Sequence, residues 1–257
     1  MASAVTLAGK HALVTGGGSG IGAAIALALA ECGAAVTICG RRPAELKMSA
    51  SRHGNIHART ADVTDPDSLQ RLYRDAQAVR GSFGIVVANA GAAESAPAEK
   101  VSRALWDQAI AVNLTGAFVS VQPALAAMRE RKWGRIVFIA STAGRKGYAY
   151  VAPYVAAKHG VIGLTRALAV ETAKSGITVN AVCPGYVETP MLERAVDRIV
   201  AATKRSEAET RSTLAANNPQ ARFIKPDEVA SAVVWLCAGD SAAITGQAIS
   251  VSGGETW

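Results

Sequence analysis

The sequence predicts an α/β fold: a doubly wound, seven-stranded parallel sheet flanked by helices, forming one domain over residues 1–257. Three observations carry this expectation. Short β-branched runs alternate with helix-length segments, the pattern of parallel strands joined by crossover helices. Several of the runs are almost continuously apolar, as strands buried on both faces should be. The chain has 257 residues, half of them hydrophobic, a size that suits one large α/β domain better than two small ones.

The elements follow in order. "HALVT" at 11–15 reads as the first strand, followed by a glycine turn and a helix over 20–32. "AVTIC" at 35–39 is the second strand, with a helix over 43–52 behind it. "IHART" at 56–60 is the third; the cap-type residues Asp62, Thr64 and Asp65 then precede a helix over 65–80. "IVVA" at 85–88 is the fourth, leading into the longest helical segment, 101–131. "RIVFIA" at 135–140 and "ITVNAV" at 177–182 are the fifth and sixth, with a helix over 153–175 between them. "AISVS" at 248–252 closes the set after a helix over 226–238. The segment 188–220 breaks the pattern: it is polar and ends in "NNPQ". It predicts a helical flap over the carboxyl edge of the sheet, where such folds bind ligands. No internal repeat, linker or low-complexity tract is visible.

Composition narrows the function. The four cysteines (Cys32, Cys39, Cys183 and Cys237) have no C-x-x-C spacing and no paired histidines. This argues against a disulfide framework and against a metal site, and it fits a reducing, cytoplasmic compartment. The N-terminus has no basic stretch followed by an apolar run, so no signal peptide is expected. The apolar run at 20–40 approaches the length of a membrane span, but Glu31 and the glycines at 20, 22, 33 and 40 divide it into a helix and a buried strand. The net charge is +7, yet no basic run is interleaved with aromatics, so neither a nucleic-acid partner nor a membrane is indicated. The charge is either a solvated surface or an attraction for an anionic ligand.

"LVTGGGSGIG" follows the first strand and opens a helix. Gly16, Gly20 and Gly22 let the backbone turn sharply and approach a pyrophosphate, which the free N–H groups of the helix start can hold. No G-K-[ST] follows, so this is a dinucleotide turn rather than a mononucleotide P-loop. The second strand ends in Gly40, Arg41 and Arg42, where a carboxylate would favour NAD. A guanidinium fork there suits a 2′-phosphate, so NADP(H) is favoured and NAD(H) remains possible. Ser19, inside the turn, is neutral and adds nothing to that preference. Asp62 ends the third strand, placed either for an adenine amino group or as a helix cap. "ANAG" at 88–91 ends the fourth; its small residues let a flat ring lie against the backbone, and Asn89 can fasten adjacent strands.

Tyr154 and Lys158 are four residues apart and share one helix face. The ammonium is expected to lower the phenol's pKa toward neutrality, letting it exchange a proton with a substrate oxygen. Ser141 ends the fifth strand and can hold the same oxygen. Tyr148 and Tyr150 lack a lysine four residues on. An ordinary surface helix face is the competing account of a lone Y-x-x-x-K.

These features together resemble the short-chain dehydrogenase/reductase family over nearly the whole chain. The matching stretches are "TGGGSGIG", "ADVTD", "NAG", "VNLTGAF", "GRIVFIAST", "PYVAAKHGVIGLTRALAVE", "GITVNAVCPGYVETPM" and "ITGQAISVSGG". Within the family the chain is similar to β-ketoacyl reductases and aromatic-polyketide ketoreductases. The resemblance implies a single Rossmann-like domain with Ser141, Tyr154, Lys158 and Asn113 as the catalytic set. Asn113 would hold a water joining the lysine to bulk solvent, although alone it reads equally as a helix-interior residue bonding its own backbone. The implied cofactor contacts are Gly16, Ser19, Gly20, Ile21, Gly22, Arg41, Arg42, Asp62, Val63, Asn89, Ala90, Gly91, Tyr154 and Lys158. Pro184, Gly185, Val187 and Thr189 would reach the carboxamide end. His159 points to another face and reads as structural.

The expected reaction moves a hydride between the nicotinamide and a ketone or secondary alcohol, on a small molecule or a thioester linked to CoA or a carrier protein. Arg194, Arg198, Lys204, Arg205 and Arg211 in the flap either attract such a thioester's phosphates or form a solubilising face with their acidic neighbours. The resemblance implies a homotetramer paired through the helices 101–131 and 153–175. An NAD-dependent dehydrogenase of a hydroxyacyl thioester or cyclic alcohol is the alternative, and a non-catalytic nucleotide sensor is a second. No G-x-S-x-G elbow supports a hydrolase.

Overall fold

The computed structural model describes residues 5–257; the first residues of the stretch searched for a signal peptide lie outside them. Seven parallel strands form one sheet in the order β3-β2-β1-β4-β5-β6-β7. They are β1 (His11–Thr15), β2 (Ala35–Gly40), β3 (Ile56–Thr60), β4 (Ile85–Ala88), β5 (Gly134–Ile139), β6 (Ile177–Pro184) and β7 (Ala248–Val251). The expected strands are all present, and their ends differ by only one or two residues. The order reverses beside β1, which pairs with β2 on one side and β4 on the other. That switch point opens a crevice at the strands' carboxyl ends.

Side chains alternate across the sheet, so each strand contributes to two cores. Leu13, Val86, Ile136 and Val179 point to one face. They pack under α3 (Pro66–Arg80), the helical run through α4 (Arg103–Ile110), α5 (Gly116–Val121) and α6 (Leu125–Glu130), and α7 (Ala152–Thr172). Ala12, Val14, Val87, Val137 and Val182 point to the other, under α1 (Gly20–Glu31), α2 (Pro43–Ala50) and α10 (Pro226–Cys237). The apolar run 20–40 is thus α1 followed by β2, as expected.

Two segments depart from expectation. The stretch read as one helix over 101–131 is interrupted by a π turn at Ala111–Thr115 and a 3₁₀ turn at Gln122–Ala124. Pro123 cannot donate within the ladder, which accounts for the second break. The first surrounds Asn113, whose amide is spent on backbone outside the normal pattern. This run, Arg103–Glu130, has the length and apolar character of a membrane span, but it lies along the sheet with Val121, Ala124 and Met128 fully buried. The flap is two helices, α8 (Pro190–Thr203) and α9 (Glu207–Ala215). They close on a small core of Leu192, Val196 and Leu214. A capping box between Ser206 and Glu209 starts α9.

Candidate active site

The crevice is built from the glycine turn outward. Gly16 and Gly20 have φ of +66° and +53°, a region costly for any residue with a Cβ. A Cβ on Gly22 would sit 2.3 Å from the Gly16 carbonyl oxygen, so this turn closes only without side chains. Ser19 caps α1 in extended geometry and spends no side-chain bond on the helix N–H groups. Ile21 packs beside the core under α1. Asn89 does fasten the adjacent strand: its Nδ2 donates to the Thr15 carbonyl at 2.8 Å, while Thr15 Oγ1 accepts from the N–H groups of Asn89 and Ala90. The loop after β4 is thereby locked to the glycine turn.

A cavity of about 500 Å³ opens there. Gly16, Ser19, Arg41, Arg42, Asp62 and Val63 line one end; Ala90 and Gly91 lead toward Met191, Arg194 and Arg198 of the flap. A bare phosphate cradle, free helix N–H groups and two arginines fit a dinucleotide. The arginines are not unpartnered. Arg41 lies 4.0 Å from Asp62, and Arg42 lies 2.6 Å from Glu45 and donates to Ser19 Oγ at 3.3 Å. Ser19 therefore joins the basic end of the cavity through its oxygen, a role its neutral side chain did not suggest. Asp62 accepts from the backbone and hydroxyl of Thr64, and Asp65 caps α3, so the cap and the cavity residue are separate.

Lys158 is buried, and its Nζ donates to the Ile139 carbonyl at 2.7 Å. It lies 5.5 Å from the centre of the Tyr154 ring, so the two groups face the same way. Pro153 occupies the first turn of α7, where a missing N–H costs nothing. Ser141 lies near enough to the Tyr154 phenol to act on its acidity, and its Oγ accepts from Ala143 N at 3.1 Å. The structure thus brings Ser141, Tyr154 and Lys158 together. Burial overturns the expected direction of the phenol's shift. It pushes Tyr154 up to about 12, against which the nearby Ser141 hydroxyl pulls down. Burial also pushes Lys158 down to about 8.

Asn113 is buried in the π turn. Its Nδ2 donates to Ala92 and Ala109 carbonyls, both at 2.9 Å, and its Oδ1 accepts from Ala92 N at 3.1 Å. It does bond its own helix, and it also holds the loop after β4. A Cβ on Gly91 would lie 2.9 Å from Asn113 Oδ1 and 3.8 Å from Lys158 Nζ, so both groups crowd one bare backbone point. Pro184 ends β6, and the N–H of Gly185 just beyond it donates to the Val251 carbonyl at 3.1 Å. Val187 forms an isolated parallel bridge with Ile224, made by the backbones of Tyr186, Glu188 and Ile224; it leaves Val187's own N–H out. Thr189 caps α8 and stands across from Gly20, whose Cβ would meet its Cγ2 at 3.0 Å. His159 is exposed and bonds the Val155 carbonyl, pointing away from the site.

Of the flap cations, Arg211 is taken by Glu193 and Glu207. Arg194 and Arg198 line the cavity, and Arg198 also donates to the Ala93 carbonyl at 3.2 Å. Sequence reasoning missed one group entirely. Tyr148 hydrogen-bonds both Thr142 and Glu255, and Glu255 pairs with Lys146. Glu255 is distant along the chain from all three, and no local pattern marks it.

A family model described as short chain dehydrogenase matches residues 10–227. The chain is 41% identical to a putative ketoacyl reductase of the granaticin polyketide synthase from Streptomyces violaceoruber, over 97% of this chain and 94% of the relative. It is 36% identical to a D-β-hydroxybutyrate dehydrogenase from Rhizobium meliloti, over 96% and 98%. The crystal structure of a variant actinorhodin polyketide ketoreductase with NADPH superposes with a TM-score of 0.93 at 38% identity, covering 96% of this chain and 97% of that one.

Proposed function

The chain belongs to the short-chain dehydrogenase family, and from that premise we propose that it is an NADP(H)-dependent ketoreductase acting on a β-ketoacyl thioester. One observation carries the reading. A buried ammonium, a phenol and a serine hydroxyl converge at the carboxyl edge of β5, in a fold whose switch-point cavity begins at a bare glycine turn.

When bound, a reduced nicotinamide supplies the hydride. The chain's own residues do the rest. Gly16, Ser19, Gly20, Ile21 and Gly22 hold the pyrophosphate on the α1 N-terminus. Arg41 and Arg42 take the 2′-phosphate, and Asp62 and Val63 border the adenine. Asn89, Ala90 and Gly91 give a flat wall, while Pro184, Gly185, Val187 and Thr189 border the carboxamide. Ser141 and Tyr154 hold the ketone oxygen between two hydroxyls. With its pKa pushed up to about 12, Tyr154 is protonated at neutral pH, the form that can give a proton to a developing alkoxide. Lys158 stabilises the phenolate that remains, and Asn113 with a water returns the proton from solvent. The reverse direction oxidises a secondary alcohol.

The similarity to ketoacyl reductases supports the thioester. Arg194 and Arg198 on the cavity wall suit the phosphates of CoA or of a carrier protein's pantetheine arm. We assign the chain to the cytoplasm, and to a homotetramer paired through α4–α6 and α7, which expose Trp106 and Val170. A second reading, an NAD-dependent dehydrogenase of a hydroxyacyl thioester or cyclic alcohol, is favoured by the carboxylate partners of Arg41 and Arg42 and by the D-β-hydroxybutyrate dehydrogenase relative. A nucleotide sensor has no use for the intact Ser141–Tyr154–Lys158 set. Absorbance at the reduced-nicotinamide band tests all three, with NADPH or NADH and a panel of β-ketoacyl thioesters, hydroxyacyl thioesters and cyclic ketones. NADPH oxidation by the ketoacyl thioesters is expected. Turnover with NAD and hydroxyacyl substrates alone selects the second reading, and no turnover with any pair selects the sensor.

A further inference from the structure

The segment after β7 folds back onto the turn that carries Ser141. Arg145 donates to oxygens of Ala248 and Trp257. Lys146 Nζ lies 3.0 Å from Glu255 Oε1. The Tyr148 phenol donates to the same carboxylate, and its oxygen is 2.7 Å from Thr142 Oγ1. Thr142 is the residue after Ser141. The Glu255 side chain is only 1% exposed, so the pair is buried on the carboxylate side. Its other oxygen, Oε2, has no hydrogen-bond partner among the described residues and rests against Gly185, where a Cβ would come within 3.0 Å.

A buried carboxylate is costly unless it is paired and hydrogen-bonded, and a half-satisfied one is held only by strong neighbours. Here those neighbours are Lys146 and Tyr148, both on the loop that leaves β5. The Tyr148 ring is further fixed edge-on against Tyr186, with centroids 6.4 Å apart. Among the described residues Glu255 makes no hydrogen bond or ion pair with Tyr154 or Lys158. Its influence runs from carboxylate to phenol to Thr142, and so to the backbone that presents the Ser141 hydroxyl.

We propose that Glu255 is a positioning residue for ketone reduction: its buried carboxylate holds Lys146 and Tyr148, and through Thr142 it sets the place of the Ser141 hydroxyl. The inference rests on the ketoreductase reading, but it also has a readout independent of turnover. In Glu255→Ala, amide hydrogen exchange should speed up in residues 141–150 and stay unchanged in α1. The kcat for ketone reduction should fall by about tenfold or more, the scale expected when a reacting group is displaced. The Kd for NADPH, read by fluorescence titration, should hold within about twofold, because the glycine turn, Arg41 and Arg42 are untouched and removing the Glu255 side chain only opens space beside Gly185. Glu255→Gln keeps an acceptor for Tyr148 and should recover part of the kcat. Lys146→Met removes the ion pair together with the ammonium's contact 5.0 Å above the Tyr148 ring, keeps the Glu255–Tyr148 bond, and serves where Glu255→Ala does not fold. Unchanged exchange at 141–150 overturns the proposal whatever the activity, as does a parallel loss of nucleotide affinity and turnover. A wild-type protein that reduces no ketone brings down the ketoreductase reading instead, while the exchange result still decides whether Glu255 orders the loop.

Discussion

Lys158→Met separates catalysis from stability at one position. The ammonium lies 5.5 Å from the Tyr154 ring. With the phenolate charge placed at the ring centre, an effective dielectric of about 20 gives an attraction of about 3 kcal/mol. Losing that attraction as the phenolate forms should cost about 100-fold in kcat. Stability should respond differently. Burial takes the Lys158 pKa from 10.5 to about 8, so charging this amine in the folded chain costs about 3 kcal/mol. The hydrogen bond to Ile139 offsets about 1 kcal/mol of any gain from methionine. At pH 7 the variant should therefore melt no lower than the wild type. The folded amine binds its proton less tightly than the unfolded one. The cost is thus present below about pH 8 and fades as pH rises from there to 10.5, a gain the methionine variant lacks. Initial reduction rates with saturating NADPH, and urea titrations at pH 7 and 9.5, check both halves. A variant with near wild-type kcat refutes the electrostatic role, and a large loss of stability at pH 7 refutes the burial cost.

Tyr154→Phe should lower turnover by about a thousandfold, the scale of a lost general acid, with NADPH binding intact by fluorescence titration. Arg42→Ala should weaken NADPH binding by about tenfold and leave NADH unchanged, because only the 2′-phosphate needs the guanidinium. His11 is buried between the Gly81 carbonyl and Thr37 Oγ1, and burial pushes its pKa from 6.5 to about 4, with the Gly81 bond opposing and Arg80 assisting. The unfolded chain binds that proton first, so stability should fall by up to about 3 kcal/mol as pH drops from 6.5 to 4. His11→Gln should flatten that limb in urea titrations at pH 7 and 4.5.

The strands were legible because burial on both faces leaves little choice of residue. Runs such as "IVVA" and "RIVFIA" can be read without their neighbours. The break at Asn113 was not legible in the same way. Nothing within 103–130 announces a π turn; there the Asn113 side chain bonds the Ala109 carbonyl, which the ladder would otherwise use, and its other bonds go to Ala92 on a distant segment. Sequence spacing also put Tyr154 and Lys158 on one face correctly. It could not weigh burial against charge, because burial comes from the packing of α7 on β6 and on the turn after β5.

The same distinction runs through the site. Tyr154, Lys158 and the glycine turn are local patterns, fixed by helix and turn geometry within a few residues. Glu255 meets Tyr148 only because β7 lies beside β6 and its trailing segment turns back over the end of β5. The chain places Tyr154 and Lys158 on one helix, and a remote segment meets the turn that carries Ser141. A site assembled this way tolerates little drift in the angle between α7 and the end of β5. Substitutions at Lys146, Tyr148 or Glu255 should therefore act on kcat through Ser141, while those at Arg41 and Arg42 act on nucleotide affinity.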